Sequence, residues 1–359
     1  MRLEKERKCR ISACIIMKDA AEDIGECLES LQGSVDEFVV VDTGSADNSK
    51  EIAARYAGKV YDFPWRENFA AAKNYALDQA TGDWIIFLDS DESLSEETRK
   101  NLRSILSTEG VEEKVDMMQV YRRNVCSDSR KQAYEDDYSE RIFRRDPALR
   151  YHDPIHEYLK FDDGRKMRML RLSPKKLTIW HKGYSPERMS GKIERNIRML
   201  EEIRDKGGDK PYLYYYLADH YRLQERYGEM AEAAEASIRR EEAPNGDSFI
   251  PYQLLYEARE HLGAEDLLLE VLEGGMEKFP LRPDFFLFYG RRLKEQGSFR
   301  EALTPLRKAE KNFQDFPRNS PGRKCNVTLA EIYGELAEVC EKLGNTGKAK
   351  SYRRKAAKI

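Results

Sequence analysis

The sequence predicts an α/β domain followed by an all-α helical array, and three observations carry that expectation. Short β-branched runs alternate with amphipathic stretches from residue 11 to about residue 90. That alternation ceases beyond about Tyr184, and glycines then recur at a spacing near 34 residues.

The runs ISACIIM, EFVVVD, KVYDF and DWIIFLD are read as strands. Between them, Ile24 to Leu31, Ser49 to Tyr56 and Phe69 to Gln79 carry apolar residues at three-and-four spacing and are read as helices. Strands separated by helices make a mainly parallel, doubly wound, Rossmann-like sheet. Ligands then bind beyond the carboxyl ends of the strands, and two of these runs finish on an acid, at Asp42 and Asp89.

Further along, Ser93 and Glu96 have the spacing of a capping box, for a helix reaching about Ser107. The alternating runs DMMQVYRRNV, YSERIFRR and KLTIWHK are expected to add antiparallel strands. In the second half, Gly228, Gly263, Gly297 and Gly344 are each expected to open a turn before a second helix, and their spacings are 35, 34 and 47. Ala233, Ala302 and Ala349 lie five residues beyond three of them, while Leu268 breaks the rule; the pattern resembles a degenerate tetratricopeptide array. The expected domains are residues 1–185 and 209–359, joined by a helical linker at 186–208.

A chain of 359 residues has room for two cores. With 62 Lys and Arg against 65 Asp and Glu, its net charge of −3 offers no general field for nucleic acid or an anionic membrane. The apolar run after the basic start is too short for a signal peptide, and no stretch approaches the roughly 20 apolar residues of a spanning helix, so a cytoplasmic location is expected. The cysteines at 9, 14, 27, 126, 325 and 340 include no CxxC pair and read as reduced thiols.

The chemistry is expected around Asp89-Ser90-Asp91. Two carboxylates one residue apart at a strand end suit a hard divalent cation of the kind that stabilises a departing diphosphate. Asp91 is assigned to the ion, and Asp89 to a ribose and the ion together; the alternative is a solvated turn before the next helix. Asp42 could accept a hydrogen bond from a uracil N3–H, or else cap the helix beginning near Asn48.

VVVDTGSADNS, NFAAAKNYAL and GDWIIFLDSDE, in this order and spacing, resemble the family 2 glycosyltransferases of the GT-A fold. The resemblance covers residues 9 to 185. It extends to a bacterial subgroup with C-terminal tetratricopeptide repeats, which includes S-glycosyltransferases of bacteriocins and other peptide or protein transferases. It implies inversion at the anomeric carbon, a UDP-sugar donor and Mn²⁺ or Mg²⁺. It sets Ala13, Met17, Asp42, Lys73, Asn74, Asp89 and Ser90 about the nucleotide-sugar, and Asp89 and Asp91 at the metal. His181, similar to the subgroup's H-x-G-Y segment, is a further metal ligand, since Mn²⁺ accepts nitrogen. Two departures bear on nucleotide contact: the first loop reads MKDAAED in place of an Asn-Glu pair, and Lys73 replaces the commoner arginine.

Inversion needs a base, and YHDPIHEYL supplies one where the family has a His-Glu pair: Glu157, with His156 and Asp153 as competitors. The expected donors are UDP-GlcNAc and UDP-glucose, and the expected acceptor is a Cys, Ser or Thr side chain of a peptide or protein. A cell-envelope saccharide as acceptor, or a non-catalytic scaffold, are the alternatives. The repeats would offer a concave surface to an extended peptide or to a second copy of the chain, as a homodimer.

Overall fold

The computed structural model describes residues 9–108, 114–125, 136–183, 186–208, 212–242, 249–316 and 327–359. It divides into two compact units, Met1–Met199 and Leu200–Ile359. Cys126, Cys325 and Tyr184 lie outside the described residues.

In the first unit, β1 (Ile11–Met17), β2 (Glu37–Asp42), β3 (Val60–Asp62) and β4 (Trp84–Asp89) alternate with α1 (Ile24–Leu31), α2 (Ser49–Ala57) and α3 (Phe69–Gln79). The next elements are β5 (Glu92–Leu94), α4 (Glu96–Leu106), β6 (Met117–Asn124), β7 (Asp137–Arg144), β8 (Leu149–His152), β9 (Tyr158–Phe161), β10 (Met169–Arg171) and β11 (Thr178–His181). One sheet runs β3-β2-β1-β4-β7-β6-β11-β5, with β10 beside β6; β8 and β9 form a separate hairpin. The first four strands are parallel, as the alternation predicted.

The additions are mixed. β7 is antiparallel to both β4 and β6, but β10 and β11 run parallel to β6, against the expectation of antiparallel strands throughout. The polypeptide between β6 and β11 is long enough to return and cross over, a connection that a hairpin reading of short strands does not consider. The helix expected to be capped by Ser93 is capped by Ser95, whose side chain accepts from the Thr98 N–H; Ser93 belongs to β5.

Burial follows strand parity. Ile11, Ala13, Ile15 and Met17 pack with Ile24, Leu28, Leu31 and Leu102 on one face, while Cys14, Val39, Val41 and Phe87 pack with Ala76, Leu77 and Tyr151 on the other.

α5 (Pro186–Asp205) follows the sheet. In the second unit the helices pair as hairpins: α6 (Leu213–Leu223) with α7 (Tyr227–Arg239), α8 (Ile250–His261) with α9 (Glu265–Lys278), α10 (Pro283–Glu295) with α11 (Phe299–Asp315), and α12 (Leu329–Lys342) with α13 (Thr346–Ala356). Gly263, Gly297 and Gly344 occupy the inter-helix turns at φ of 67°, 81° and 75°, the left-handed region where glycine costs least. Gly228 does not: it sits inside α7, and Glu225 (φ 56°) takes the turn of the first hairpin. The residues five positions beyond the four turns are therefore Met230, Leu268, Ala302 and Ala349, all buried against the neighbouring helices. Large side chains at the first two and alanine at the others are the physical content of the degeneracy. No helix among the described residues is long and apolar enough to cross a membrane.

Candidate active site

The sheet order places β1 between β2 and β4, so the chain leaves β1 in opposite directions to reach its two neighbours. Met17 pairs with Asp42 and Ile16 with Asp89, which brings three carboxyl strand ends together. A cavity of about 540 Å³ opens there, within the first unit. Met17, Lys73, Asp89, Ser90, Asp91, His156, Glu157 and His181, all singled out in the sequence, line it.

Four expected residues, Ala13, Asn74, Asp153 and Asp42, do not. Ala13 is buried in the core on the α1 side of the sheet, four residues short of the strand end. Asn74 spends its whole amide on the backbone of one residue, accepting from Tyr151 N and donating to Tyr151 O, both at 2.9 Å. Asp153 adopts φ 71° in the loop before Glu157 and is absent from the cavity wall.

Asp42 stands at the correct strand end, but its carboxylate turns into its own loop. It accepts from Gly44 N, Ser45 N and Ser45 Oγ, and is 2% exposed. These contacts close a turn and are not the cap of α2 that the sequence offered as the alternative, since the N-cap there is Asn48; the neighbouring Thr43 takes the place on the wall.

Asp89 and Asp91 are held by different partners. Asp89 pairs with Arg141, and its other oxygen lies 3.6 Å from Lys73 Nζ. Arg141 also reaches Glu92 Oε1 at 2.6 Å; Glu92 is fully buried, accepts from Asp89 N at 3.1 Å and receives Arg122 at 3.3 Å. Burial opposes ionisation of Asp89, but Arg141 and Lys73 outweigh it and hold the carboxyl far below the ordinary range.

Glu92, Arg122 and Arg141 were not singled out from the sequence. Arg141 enters the network through a register shift: Met118 pairs with Ile142 and Gln119 with Glu140, so Arg141 is an extra residue with no opposite number on β6. Such a bulge re-aims one side chain, here toward the acids under the cavity.

On the other side, Lys192 Nζ of α5 contacts Asp91 Oδ2 at 2.9 Å, and His181 Nε2 faces Asp91 Oδ1 at 3.7 Å. Burial resists the charge of Asp91, and the Lys192 ammonium is the main charge that overcomes it, lowering the pKa. The His181 ring is fixed from behind by Asn124 Oδ1, 2.8 Å from Nδ1. Burial also pushes this imidazole below its ordinary pKa, favouring the neutral form. With Nδ1–H donated to the amide oxygen, the Nε2 lone pair is directed at Asp91.

Glu157 Oε1 lies 2.7 Å from the buried Lys73 Nζ. Burial works against the ammonium, yet Glu157 and Asp89 together raise its pKa. The loop carrying Glu157 is hung on α3 twice, through Asn74 and through Phe69 N, which donates to Pro154 O at 2.7 Å. His156 in that loop has φ 51°. Left-handed backbone at two non-glycine residues is strain that these ties maintain. Trp65 and Phe69, in edge contact at 4.7 Å between centroids, form an aromatic side of the cavity, and the Arg195 guanidinium covers Phe69 at 4.9 Å.

Lys18, Lys73, Arg122, Arg141, Lys192 and Arg195 thus line a cavity whose carboxylates are Asp89, Asp91 and Glu157. The excess of cations suits an anionic ligand.

Residues 12–170 match the model of glycosyl transferase family 2. A TPR repeat-containing protein of Synechococcus elongatus is 34% identical over 203 residues, 54% of this chain and 47% of that protein. The SPbeta prophage-derived glycosyltransferase SunS of Bacillus subtilis is 24% identical over 250 residues, 66% of this chain and 54% of that protein. The chain spans about half the length of these curated relatives. Among solved structures, MamA matches 48% of this chain and covers 91% of its own, at 14% identity and a TM-score of 0.39, too low to argue from. Residues 12–170 are therefore a family 2 glycosyltransferase domain, and a tetratricopeptide-like helical array follows it in the same chain.

Proposed function

We propose that this protein transfers a hexose, with inversion, from a UDP-sugar to a Cys, Ser or Thr side chain of a peptide or protein, assisted by Mn²⁺ or Mg²⁺. The observation that carries this reading is the convergence of Asp89, Asp91, His181 and Glu157 on one cation-rich cavity at the carboxyl ends of parallel strands. UDP-GlcNAc and UDP-glucose are the proposed donors.

Asp91 and His181 are the pair that would hold a divalent cation; among the described residues Asp89 does not join them in a group of three ligands, being held by Arg141 and Lys73. A carboxylate oxygen and an imidazole nitrogen face each other there, the ring is oriented by Asn124, and Gly183 leaves the intervening space without a side chain. A cation so held would neutralise charge developing on the departing diphosphate. Asp89, fixed by Arg141 and Lys73, is available to the ribose. Glu157 takes the acceptor proton, and its pairing with Lys73 fixes the carboxylate's direction. Trp65 and Phe69 give the sugar or acceptor an apolar wall. The helical array supports a peptide acceptor, because stacked hairpins present an extended surface that small-molecule transfer does not require.

The test is UDP release from a panel of UDP-hexoses with Mn²⁺, followed by mass spectrometry of candidate peptides. Asp91→Ala should lower turnover by about 10³-fold or more, the scale set by loss of a main charge-stabilising group, with an unchanged circular dichroism spectrum. Turnover equal to that of the unmodified protein would remove Asp91 from the metal site, and no UDP release with any donor would end the transferase reading.

A further inference from the structure

Three polar groups from separate segments meet around Gly183. A methyl group there would collide with His181 Nε2 and would stand 2.7 Å from Asp91 Oδ2 and 2.8 Å from Lys192 Nζ. The cation found at this junction is the chain's own, the ammonium of Lys192. A buried carboxylate requires a counter-charge, and for Asp91 a lysine supplies it at the place where the reading above puts a divalent ion.

Both cannot bind the same carboxylate closely, since a divalent ion and an ammonium a few ångströms apart repel strongly. We propose that Lys192 is the resident counter-ion of Asp91: it holds the carboxylate in the donor-free enzyme, yields it to the divalent cation, and then pairs with the donor's diphosphate. This rests on the assignment of Asp91 and His181 as the cation's protein ligands.

The placement of Lys192 supports both halves of the exchange. Its side chain is 38% exposed on a flexible four-carbon stem, so it can leave Asp91 without opening the core. It lies on the same face of α5 as Arg195 and Asn196, three and four residues on, and all three line the cavity. Among the described residues the Arg195 guanidinium donates to the Asn196 amide oxygen and has no carboxylate hydrogen-bonded to it, Glu67 and Glu157 acting on it only through space. An ammonium released from Asp91 therefore joins a second cation on the helix face that looks into the donor cavity. Transfer to the diphosphate returns the ammonium to an anionic partner, and it makes metal and donor entry favour one another.

The exchange predicts opposite signs for two affinities of one variant. In the nucleotide-free full-length chain, Lys192→Gln and Lys192→Ala should bind Mn²⁺ alone about tenfold more tightly than the unmodified protein, because the competing charge is gone. At saturating Mn²⁺, the same variants should bind UDP about tenfold more weakly, having lost a charge-assisted contact. Lys192→Arg should restore most of the UDP affinity. Titration calorimetry reads both quantities without requiring turnover, and thermal melting checks the fold.

A Mn²⁺ affinity unchanged or weakened in Lys192→Gln overturns the counter-ion role. Tighter Mn²⁺ with unaltered UDP binding overturns the hand-over. Gly183→Ala should abolish Mn²⁺ binding by filling the junction, and normal binding there would also count against the proposal. If the unmodified protein binds Mn²⁺ but no UDP, the donor assignment fails by itself, while the Mn²⁺ comparison still decides whether Lys192 competes.

Discussion

Two cavities in this molecule are built from similar residues and differ in how their charges are used. The one among the hairpins measures about 690 Å³ and is lined by Asp219, Arg222, Glu260, Arg291, Arg292 and Glu295 together with apolar side chains of α8 and α10. Its arginines are answered within the array: Arg222 by Asp219, Arg291 by Glu335, and Arg292 by Glu260 and Glu295. The cavity beside β1 and β4 is smaller, about 540 Å³, yet there cations outnumber carboxylates and come from strands, loops and α5 at once. Size therefore does not single out the candidate site. An excess of lining cations drawn from distant segments does, because it suits an anionic ligand.

The contrast can be broken most severely at the base. Glu157→Gln should lower transfer by about 10²- to 10⁴-fold, the usual worth of general base catalysis, and spare UDP binding in a calorimetric titration. Normal turnover would shift the base to His156.

At the floor of the same cavity, Arg141→Met strands Glu92 and Asp89 without their shared partner. Removing one member of a buried ion network costs about 3–5 kcal/mol, so urea unfolding should show a loss of that order. A loss below about 1 kcal/mol would mean that water reaches these acids as freely as surface ones.

Asp89 also gives the first unit a pH signature. Its folded-state pKa lies below the unfolded value, so its ionic contacts stabilise the fold above about pH 4 and are withdrawn as protonation proceeds at lower pH. Melting temperatures of the unmodified protein should fall more steeply than those of Asp89→Asn between about pH 5 and about pH 3. Parallel curves would deny Asp89 this role.

The smallest effect belongs to the array. Arg222→Met breaks a partly exposed pair three residues apart, which should cost about 0.5 kcal/mol in the same urea experiment. A loss as large as that for Arg141 would erase the distinction between the two cavities.

Much of the first unit was legible because its signals are local. The apolar runs and the helices between them predicted β1 to β4 and α1 to α3 nearly to the residue, and the acids ending β4 announced the cavity. What escaped was set by neighbours in space. Arg141 sits in YSERIFRR, a run that resembles a solvated charged edge, and only a displaced pairing against β6 turns it inward. Lys192 and Arg195 lie in a helix whose charges look like an exposed face. Asn74 was expected at the nucleotide because it follows Lys73 in the motif, but a step of one residue on a helix changes the direction of the side chain by about 100°. In the array, glycine alone misled at Gly228: the turn needs a left-handed residue, and Glu225 supplies it at some strain.

The double suspension of the loop between His152 and Glu157 fixes more than a shape. With one end latched at the Tyr151 peptide and the middle latched at Pro154, this stretch has no slack to distribute. Inserting or removing a single residue would swing Glu157 away from Lys73, so this segment should tolerate changes of side chain far better than changes of length.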